Sequence, residues 1–193
     1  MEDHLNNSAK LDEDWNEIIR YQTDHFTTNI ALKPENVSKN RVKDIVPYDH
    51  SRLELMTSGK LHSADYINAS IITDHDPRNP SYIACQGPLE NTVSEMWQMV
   101  WEQGAVVIVT LTALNEGGET KCYPYWPRKS SEVFGNFEVH LVSEHIWCED
   151  YVVRSFYLKN INTNETRTIT QFHYLTWNDH TIPRSCKALL EFR

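Results

Sequence analysis

The chain has 193 residues, a formal net charge of −9 at pH 7 and 40% hydrophobic residues. This length suits one domain with a core, and the negative charge argues against a broad nucleic-acid-binding surface. No apolar run approaches the roughly 20 residues that a membrane helix needs, and the start, MEDHLNNSAK, lacks the regions of a secretory signal. We therefore expect a cytoplasmic chain with no membrane segment and no nucleic-acid partner.

The four cysteines are scattered along the chain, without a Cys-x-x-Cys pair or a histidine spacing typical of zinc sites. They are Cys85, Cys122, Cys148 and Cys186. This usage predicts reduced thiols that serve in packing, with no bound metal or other cofactor.

The N-terminal part, residues 1–38, is predicted to hold one helix and a loop. Apolar residues between positions 1 and 22 fall on one helical stripe that includes Leu11, Trp15 and Ile18. Residues 23–41 lack periodicity and predict a loop, and residues 42–49 continue as irregular chain.

The part from residue 39 to residue 193 is predicted to contain the sheet. Residues 65–72 and 81–85 alternate like two strands of a hairpin, and Thr92 and Glu95 match a capping box ahead of a helix that Gly104 ends. Residues 105–112, AVVIVTLT, form an apolar run typical of a strand that is covered on both faces at the centre of a sheet.

The remaining elements predict an antiparallel meander. A turn at 116–119 precedes strand-like stretches at 134–143, 151–160 and 166–177, and Ser185 is placed to cap a final helix.

The stretch 170–183, TQFHYLTWNDHTIP, carries the candidate chemistry, because a strand there runs into a polar loop with Trp177, Asn178, Asp179 and His180 side by side. An acid and an imidazole on a loop beside a rigid strand suit proton transfer. Asp179 could equally cap the turn before Pro183. A metal site from Asp179, His173 and His180 is a third alternative, which no HExxH-type spacing supports.

Several stretches in order along the chain resemble the protein tyrosine phosphatase domain. They are 39–41 (KNR), 47–52 (PYDHSR), 65–70 (DYINAS), 82–89 (YIACQGPL), 97–102 (WQMVWE), 125–127 (YWP) and 170–173 (TQFH). Three others resemble the phosphatase-like receptors of secretory granules, the islet autoantigen and phogrin group: 1–5 (MEDHL), 75–78 (HDPR) and 142–150 (VSEHIWCED).

The resemblance implies an α+β fold, a twisted mixed sheet flanked by helices, here one partial domain that is incomplete at its C-terminus. It implies a thiolate mechanism in which a Cys attacks phosphotyrosine, an Arg grips the phosphoryl group and an Asp protonates the leaving phenolate. The positions that match are Asp179 (general acid), Trp177 (hinge of its loop), Lys121 and Glu116 (support of the phosphate site), Asp44 (substrate backbone), and Arg41 and Val42 (substrate-recognition loop).

Three departures set this chain apart from active members of that family. The loop with His-Cys and an Arg after it is absent, since no His-Cys pair occurs, so the chain offers no nucleophile. Val42 stands where active members have a Tyr that packs on the phosphotyrosine ring, and Asn178 replaces the proline of the Trp-Pro-Asp loop.

Two functions stay open. The chain is either part of a catalytically impaired receptor domain that binds a phosphotyrosine protein or another phosphatase domain, or a truncated active tyrosine phosphatase. The first reading implies a place on the cytosolic face of a secretory-vesicle membrane. Both predict that these 193 residues alone are inactive.

Overall fold

The computed structural model describes residues 7–20, 26–57 and 65–193. The helices are α1 (Ser8–Arg20), α2 (Pro34–Val37), α3 (Val93–Glu102) and α4 (Cys186–Phe192), and a short 3-10 turn at Glu90–Thr92 leads into α3. The strands are β1 (Arg52–Glu54), β2 (Tyr66–Ile72), β3 (Tyr82–Cys85), β4 (Val107–Thr110), β5 (Asn115–Glu116), β6 (Glu119–Thr120), β7 (Ser131–Phe134), β8 (Phe137–Ile146), β9 (Tyr151–Asn160) and β10 (Thr166–Tyr174).

The main sheet has five strands in the order β4-β10-β9-β8-β7. Its strands β7 to β10 form an antiparallel meander, whereas β4 runs parallel to β10, with Thr170 opposite Val107. A three-stranded antiparallel sheet, β1-β2-β3, lies beside it. The predicted α+β class with a mixed sheet and the hairpin of β2 and β3 are thus confirmed. The predicted meander is present with different bounds: the stretch 134–143 is interrupted by the turn between β7 and β8, and the last strand ends at Tyr174 rather than at residue 177.

Helix α3 has the predicted apolar stripe and is buried along it. Val93, Met96, Trp97 and Val100 are all at most 5% exposed. The indole N–H of Trp97 donates to the carbonyl oxygen of Tyr125 at 2.7 Å, so the large ring is buried without an unsatisfied donor. This helix is therefore the main cover of one face of the central sheet.

The two ends of α3 give opposite outcomes for the sequence prediction. Gly104, with φ +64, ends the helix as predicted, because its N–H reaches back to the carbonyl of Trp101. The predicted capping box is wrong: the Thr92 hydroxyl accepts from the N–H of Leu89 at 2.9 Å and makes no cap bond to α3. The Thr92 hydroxyl is already hydrogen-bonded within the preceding 3-10 turn, so the reciprocal hydrogen bonds of a capping box with Glu95 do not form.

Two apolar clusters lie on the two sides of the sheet. The larger joins α3 to the inner faces of both sheets and contains Trp97, Phe156, Leu158 and Ile169. The smaller forms where α4 packs with Phe192 edge-on to Tyr151 and Tyr174, at ring distances of 5.3 and 5.2 Å. Ser185 caps α4 as predicted, its hydroxyl accepting from the N–H of Ala188 at 3.2 Å.

Strand β4 contradicts the prediction of a central strand with two covered faces. It lies at one edge of the five described strands, and only one of its faces, with Ile108 and Thr110, is buried. Val107 and Val109 on the other face are 52% and 55% exposed. A continuous run of apolar residues does not show which faces of the strand other elements cover. In this structure they cover one face of β4.

The N-terminal part agrees with the prediction in its helix and departs from it in its loop. Helix α1 is amphipathic, with exposed Leu11, Trp15 and Ile18 on its stripe. Positions 1–6 and 21–25, which the predictions also cover, lie outside the described residues. The predicted loop holds the short helix α2, which Pro34 begins at its first turn and in which buried Asn36 donates to the Ile30 carbonyl.

Within the described ranges, no helix combines the length and the apolar character needed to cross a bilayer.

Candidate active site

The acid loop, residues 175–181, leaves the sheet at the end of β10. The indole N–H of Trp177 donates to the carbonyl of Thr181 at 2.9 Å, and that threonine donates from its N–H and its hydroxyl to the carbonyl of Asn178. These bonds close a turn across Asp179 and His180. His180 adopts a positive φ of 55°, a conformation that few residues other than glycine favour.

The β5–β6 hairpin lies directly against this loop. The backbone N–H of Asp179 donates to Oε2 of Glu116 at 2.8 Å, and Nζ of Lys121 lies 3.5 Å from Oδ2 of Asp179. Lys121 also donates to Glu119 at 3.1 Å, and this hydrogen bond raises the pKa of its ammonium group. Three of the predicted residues therefore meet in one cluster although the sequence separates them by up to 63 positions.

The turn of that hairpin is made by Gly117 and Gly118, both with positive φ. This backbone is the primed two-residue turn that glycine supplies without strain. The second carboxylate oxygen of Glu116, Oε1, is buried and has no hydrogen-bond partner among the described residues. Glu116 thus holds the acid loop with one oxygen and has the other oxygen free for a further donor.

Arg41 lies beside the same hairpin, and its guanidinium is hydrogen-bonded to main-chain carbonyl oxygens. It donates to the carbonyls of Thr120 at 2.7 Å, Gly87 at 2.9 Å and Pro88 at 2.8 Å. Gly87 allows this packing, since a Cβ there would lie 2.8 Å from the carbonyl oxygen of Lys121. Arg41 therefore anchors the predicted substrate-recognition loop, which also contains Val42, to the β5–β6 hairpin.

Sequence reasoning missed Gln86, which completes this anchor. Its side-chain oxygen accepts from the N–H of Arg41 at 2.9 Å, and its amide donates to the carbonyl of Lys39 at 2.7 Å. A glutamine directly before the Gly87–Pro88 pair at a strand end was the available signal. Val42 and Asp44 follow in the chain and are exposed, Val42 by 45%.

His173 is not free for the alternative metal site with Asp179 and His180. It is 1% exposed, and its Nδ1 lies 3.1 Å from a guanidinium nitrogen of Arg154, while Nε2 lies 2.9 Å from the carbonyl oxygen of Thr112. Because arginine only donates, Nδ1 must accept and Nε2 carries the proton. Burial lowers the pKa of this imidazole, so the neutral form is favoured.

Arg154 is the centre of a buried polar network behind the loop. It pairs with Glu144, donates to Gln171 at 3.0 Å and stacks 4.5 Å from the ring centre of Trp126. Gln171 in turn donates to the hydroxyl of Tyr125 at 2.7 Å. This network fixes the ends of β9 and β10 from which the acid loop emerges.

The cysteines are all free, as predicted, but only Cys122 is fully buried. Cys85 and Cys186 are exposed, so the prediction that all four pack in the interior is wrong for these two. Burial raises the pKa of the Cys122 thiol to about 11, which keeps it protonated at neutral pH.

Two cysteines do stand six positions before an arginine, Cys122 before Arg128 and Cys148 before Arg154, so the spacing occurs although the His-Cys pair does not. The first pair begins at the buried thiol of Cys122, and in the second the arginine points into the network just described.

Known proteins share much of this sequence. Residues 36–193 match the sequence model of the protein-tyrosine phosphatase family. Over all 193 residues the chain is 56% identical to receptor-type tyrosine-protein phosphatase N2 of Macaca nemestrina and 51% identical to receptor-type tyrosine-protein phosphatase-like N of Homo sapiens. It is 42% identical to receptor-type tyrosine-protein phosphatase-like ida-1 of Caenorhabditis elegans.

The chain covers 19%, 20% and 24% of the length of these three relatives. It therefore corresponds to about a fifth of such a receptor-type protein, and the predicted likeness to the N2 and phosphatase-like N group is confirmed. This chain belongs to the protein-tyrosine phosphatase family.

Proposed function

We propose that this chain is part of the cytoplasmic region of a receptor-type, phosphatase-like protein that acts by binding, with impaired turnover of phosphotyrosine. Its partner would be a phosphotyrosine protein or another phosphatase domain, and its place the cytosolic face of a secretory-vesicle membrane. The observation that carries the proposal is Val42. It follows the anchored Arg41, is 45% exposed and offers a small aliphatic side chain where substrate recognition calls for a ring.

The loss of that ring weakens the hold on a substrate. An aromatic pair contributes about 0.5–1.5 kcal/mol beyond the area that it buries, and an isopropyl group cannot supply it. The ring also orients the phosphotyrosine for attack. A site with Val42 therefore binds the phosphorylated side chain with less precision.

The second support is Asn178. Its carbonyl accepts two hydrogen bonds from Thr181, so the turn of the acid loop closes on itself. A proline at this position would fix φ and restrict the loop to fewer conformations. Asparagine removes that restriction and raises the cost of bringing Asp179 to a leaving group.

The test uses the complete phosphatase-like domain of the full-length protein, with the variants Val42→Tyr and Asn178→Pro made singly and together. Restoring the ring should mainly lower KM, and restoring the proline should mainly raise kcat, since the first affects binding and the second affects loop closure. Asp179→Ala in the double variant is the control and should remove the gained turnover. If neither substitution raises turnover and the domain still binds a phosphotyrosine peptide tightly, the cause of the impairment lies in another part of the domain. Binding then remains the proposed function.

A second candidate function is that of an active tyrosine phosphatase. The contacts among Asp179, Lys121 and Glu116 favour it, because a domain without turnover has no need to hold a general acid beside a lysine. Turnover of phosphotyrosine peptides by the unmodified complete domain at typical enzyme rates, of order 1–10³ s⁻¹, would establish this function and refute the binding proposal.

A further inference from the structure

A groove of about 420 Å³, which no residue of the acid loop lines, lies on the segment that follows Cys122. Its lining residues are of two kinds, aromatic or proline residues and polar or charged residues. The lining residues are Tyr123, Pro124, Trp126, Arg128, Lys129, Ser131 and Glu132.

The aromatic wall is held rigidly from behind. The guanidinium of Arg154 stacks on the ring of Trp126 at 4.5 Å, and the rings of His173 and Tyr125 meet it edge-on at 5.6 and 4.9 Å. Arg154 itself is 8% exposed and fixed by Glu144 and Gln171. Trp126 therefore presents a preorganised surface that loses little freedom when a ligand covers it.

The charged wall has cations without counter-charges. Arg128 and Lys129 are exposed, and neither makes an ion pair or a hydrogen bond with any described residue. The chain as a whole has 27 acidic and 18 basic side chains, so two adjacent unpaired cations stand out against its net charge. Glu132 is the only carboxylate in the lining, and it is paired with neither of them.

The groove also borders a sheet edge that no described strand covers. Strand β7, which begins at Ser131, is the last strand of the main sheet. The carbonyl of Ser130 accepts from the N–H of Leu141 in β8, so by the alternation of antiparallel strands the main-chain groups of Ser131 and Val133 point away from the sheet. Val133 is also 58% exposed. An extended chain could therefore add to β7 as a further strand.

We propose that this groove and the β7 edge together bind an extended acidic peptide segment of a partner protein. Its main chain pairs with Ser131 and Val133, its carboxylates face Arg128 and Lys129, and an apolar or aromatic side chain lies on Trp126. The occupant is not a second copy of this chain, because a symmetric β7–β7 pairing is antiparallel and places the two pairs of cations at its opposite ends, where the one carboxylate of the strand, Glu132, does not face them.

The test titrates the complete phosphatase-like domain of the full-length protein with the peptide Ac-EVEYEVE-NH2, and binding is followed by ¹⁵N NMR and by fluorescence anisotropy of a labelled peptide. The expected result is binding with shifts at the amides of Ser131 and Val133 and at the Trp126 indole. The matched peptide Ac-KVKYKVK-NH2 should not bind. Equal binding of the two peptides, or no binding of the acidic one at millimolar concentration, would overturn the proposal.

Two double variants of the protein distinguish the contribution of Arg128 and Lys129 to binding from the effect of the net charge of the chain. Arg128→Glu with Lys129→Glu should weaken binding at least about tenfold, which corresponds to 1.4 kcal/mol. Lys33→Glu with Arg78→Glu changes the net charge equally at exposed sites elsewhere and should leave the affinity within about twofold. Equal losses in both double variants would reduce the interaction to net charge and refute the site.

The contribution of the sheet edge is tested without changing the groove. Val133→Pro removes the outward N–H of β7 while its pairing with β8 remains, a position where edge strands tolerate proline. It should weaken the acidic peptide, as should N-methylation of alternate peptide residues. In the unmodified chain, raising the salt from about 0.05 to 0.3 M should weaken binding as well. Binding that is unaffected by Val133→Pro and by N-methylation would exclude strand addition, and binding that is unaffected by salt would exclude the pairing of charges.

Discussion

The hydrogen bond between Glu116 and the backbone of Asp179 yields a quantitative prediction about the acid loop. In Glu116→Ala the N–H of Asp179 loses a carboxylate acceptor at 2.8 Å. A hydrogen bond to a charged group contributes about 1.5–3 kcal/mol in a buried site. Because the Asp179 side chain is 54% exposed, water replaces part of that contribution, and we take a value just below this range, about 1.4 kcal/mol.

That free energy corresponds to about a tenfold increase in the population of the open loop. The measurement is amide hydrogen exchange of Asp179 by NMR, under conditions where the exchange rate follows the opening equilibrium. Exchange should accelerate about tenfold in Glu116→Ala and by a smaller factor in Glu116→Gln, which keeps a neutral acceptor. Glu119→Ala is the matched control, because Glu119 contacts Lys121 but not the loop backbone.

An unchanged exchange rate in Glu116→Ala would refute this reasoning, since the loop would then be held by its own internal turn alone. Equal acceleration in Glu119→Ala would also refute it, because the effect would then come from Lys121. The prediction needs no catalytic activity and holds under either proposed function.

Three further outcomes are expected of the 193-residue chain. It should bind a hydrophobic dye and unfold with weak cooperativity, and Val107→Lys with Val109→Lys should reduce the dye fluorescence by interrupting the exposed apolar face of β4. Protection of β10 amides should fall as the pH drops below about 6.5, where the unfolded chain gains a proton on His173 that the folded state disfavours, and His173→Gln should reduce this fall. Phosphotyrosine peptides should not be hydrolysed above background; turnover that disappears in Cys122→Ser or Cys148→Ser would contradict this.

The elements that sequence reasoning located correctly are those with a clear period over many residues. Helix α3 and strands β9 and β10 each span at least nine positions, long enough for apolar residues to repeat on one face. Helix α2 was missed because four residues form barely one turn and show no period. The predicted capping box at Thr92 was wrong for a different reason: the Thr92 hydroxyl accepts a hydrogen bond within the preceding 3-10 turn instead.

The clustering of the site residues depended on information outside any local pattern. Only the family resemblance put Asp179, Glu116 and Lys121 in one site, because no spacing rule links positions 63 residues apart. Arg154 could have been noticed as a lone charge in an apolar strand. Its partners Glu144 and Gln171 come from the neighbouring strands β8 and β10, so the network itself follows from strand register.

A Cys-x5-Arg sequence forms a phosphate-binding site only when the five residues between the Cys and the Arg curl around an anion. The two such sequences in this chain do not meet this condition. Cys148 lies in the turn that joins β8 to β9, and from Tyr151 to Arg154 the chain is an extended strand, with the Arg154 guanidinium already held by Glu144 and Gln171, so no loop closes around a phosphoryl group. Between Cys122 and Arg128 lie Pro124 and Pro127, which remove two of the five backbone N–H groups that a phosphate cradle would use. The Cys122 thiol is buried with a pKa raised to about 11, so it is neither ionised nor accessible. Neither spacing therefore supplies a nucleophile, and the predicted site residues of these 193 positions lie in the acid loop, in the β5–β6 hairpin and beside it, and in the segment 41–44.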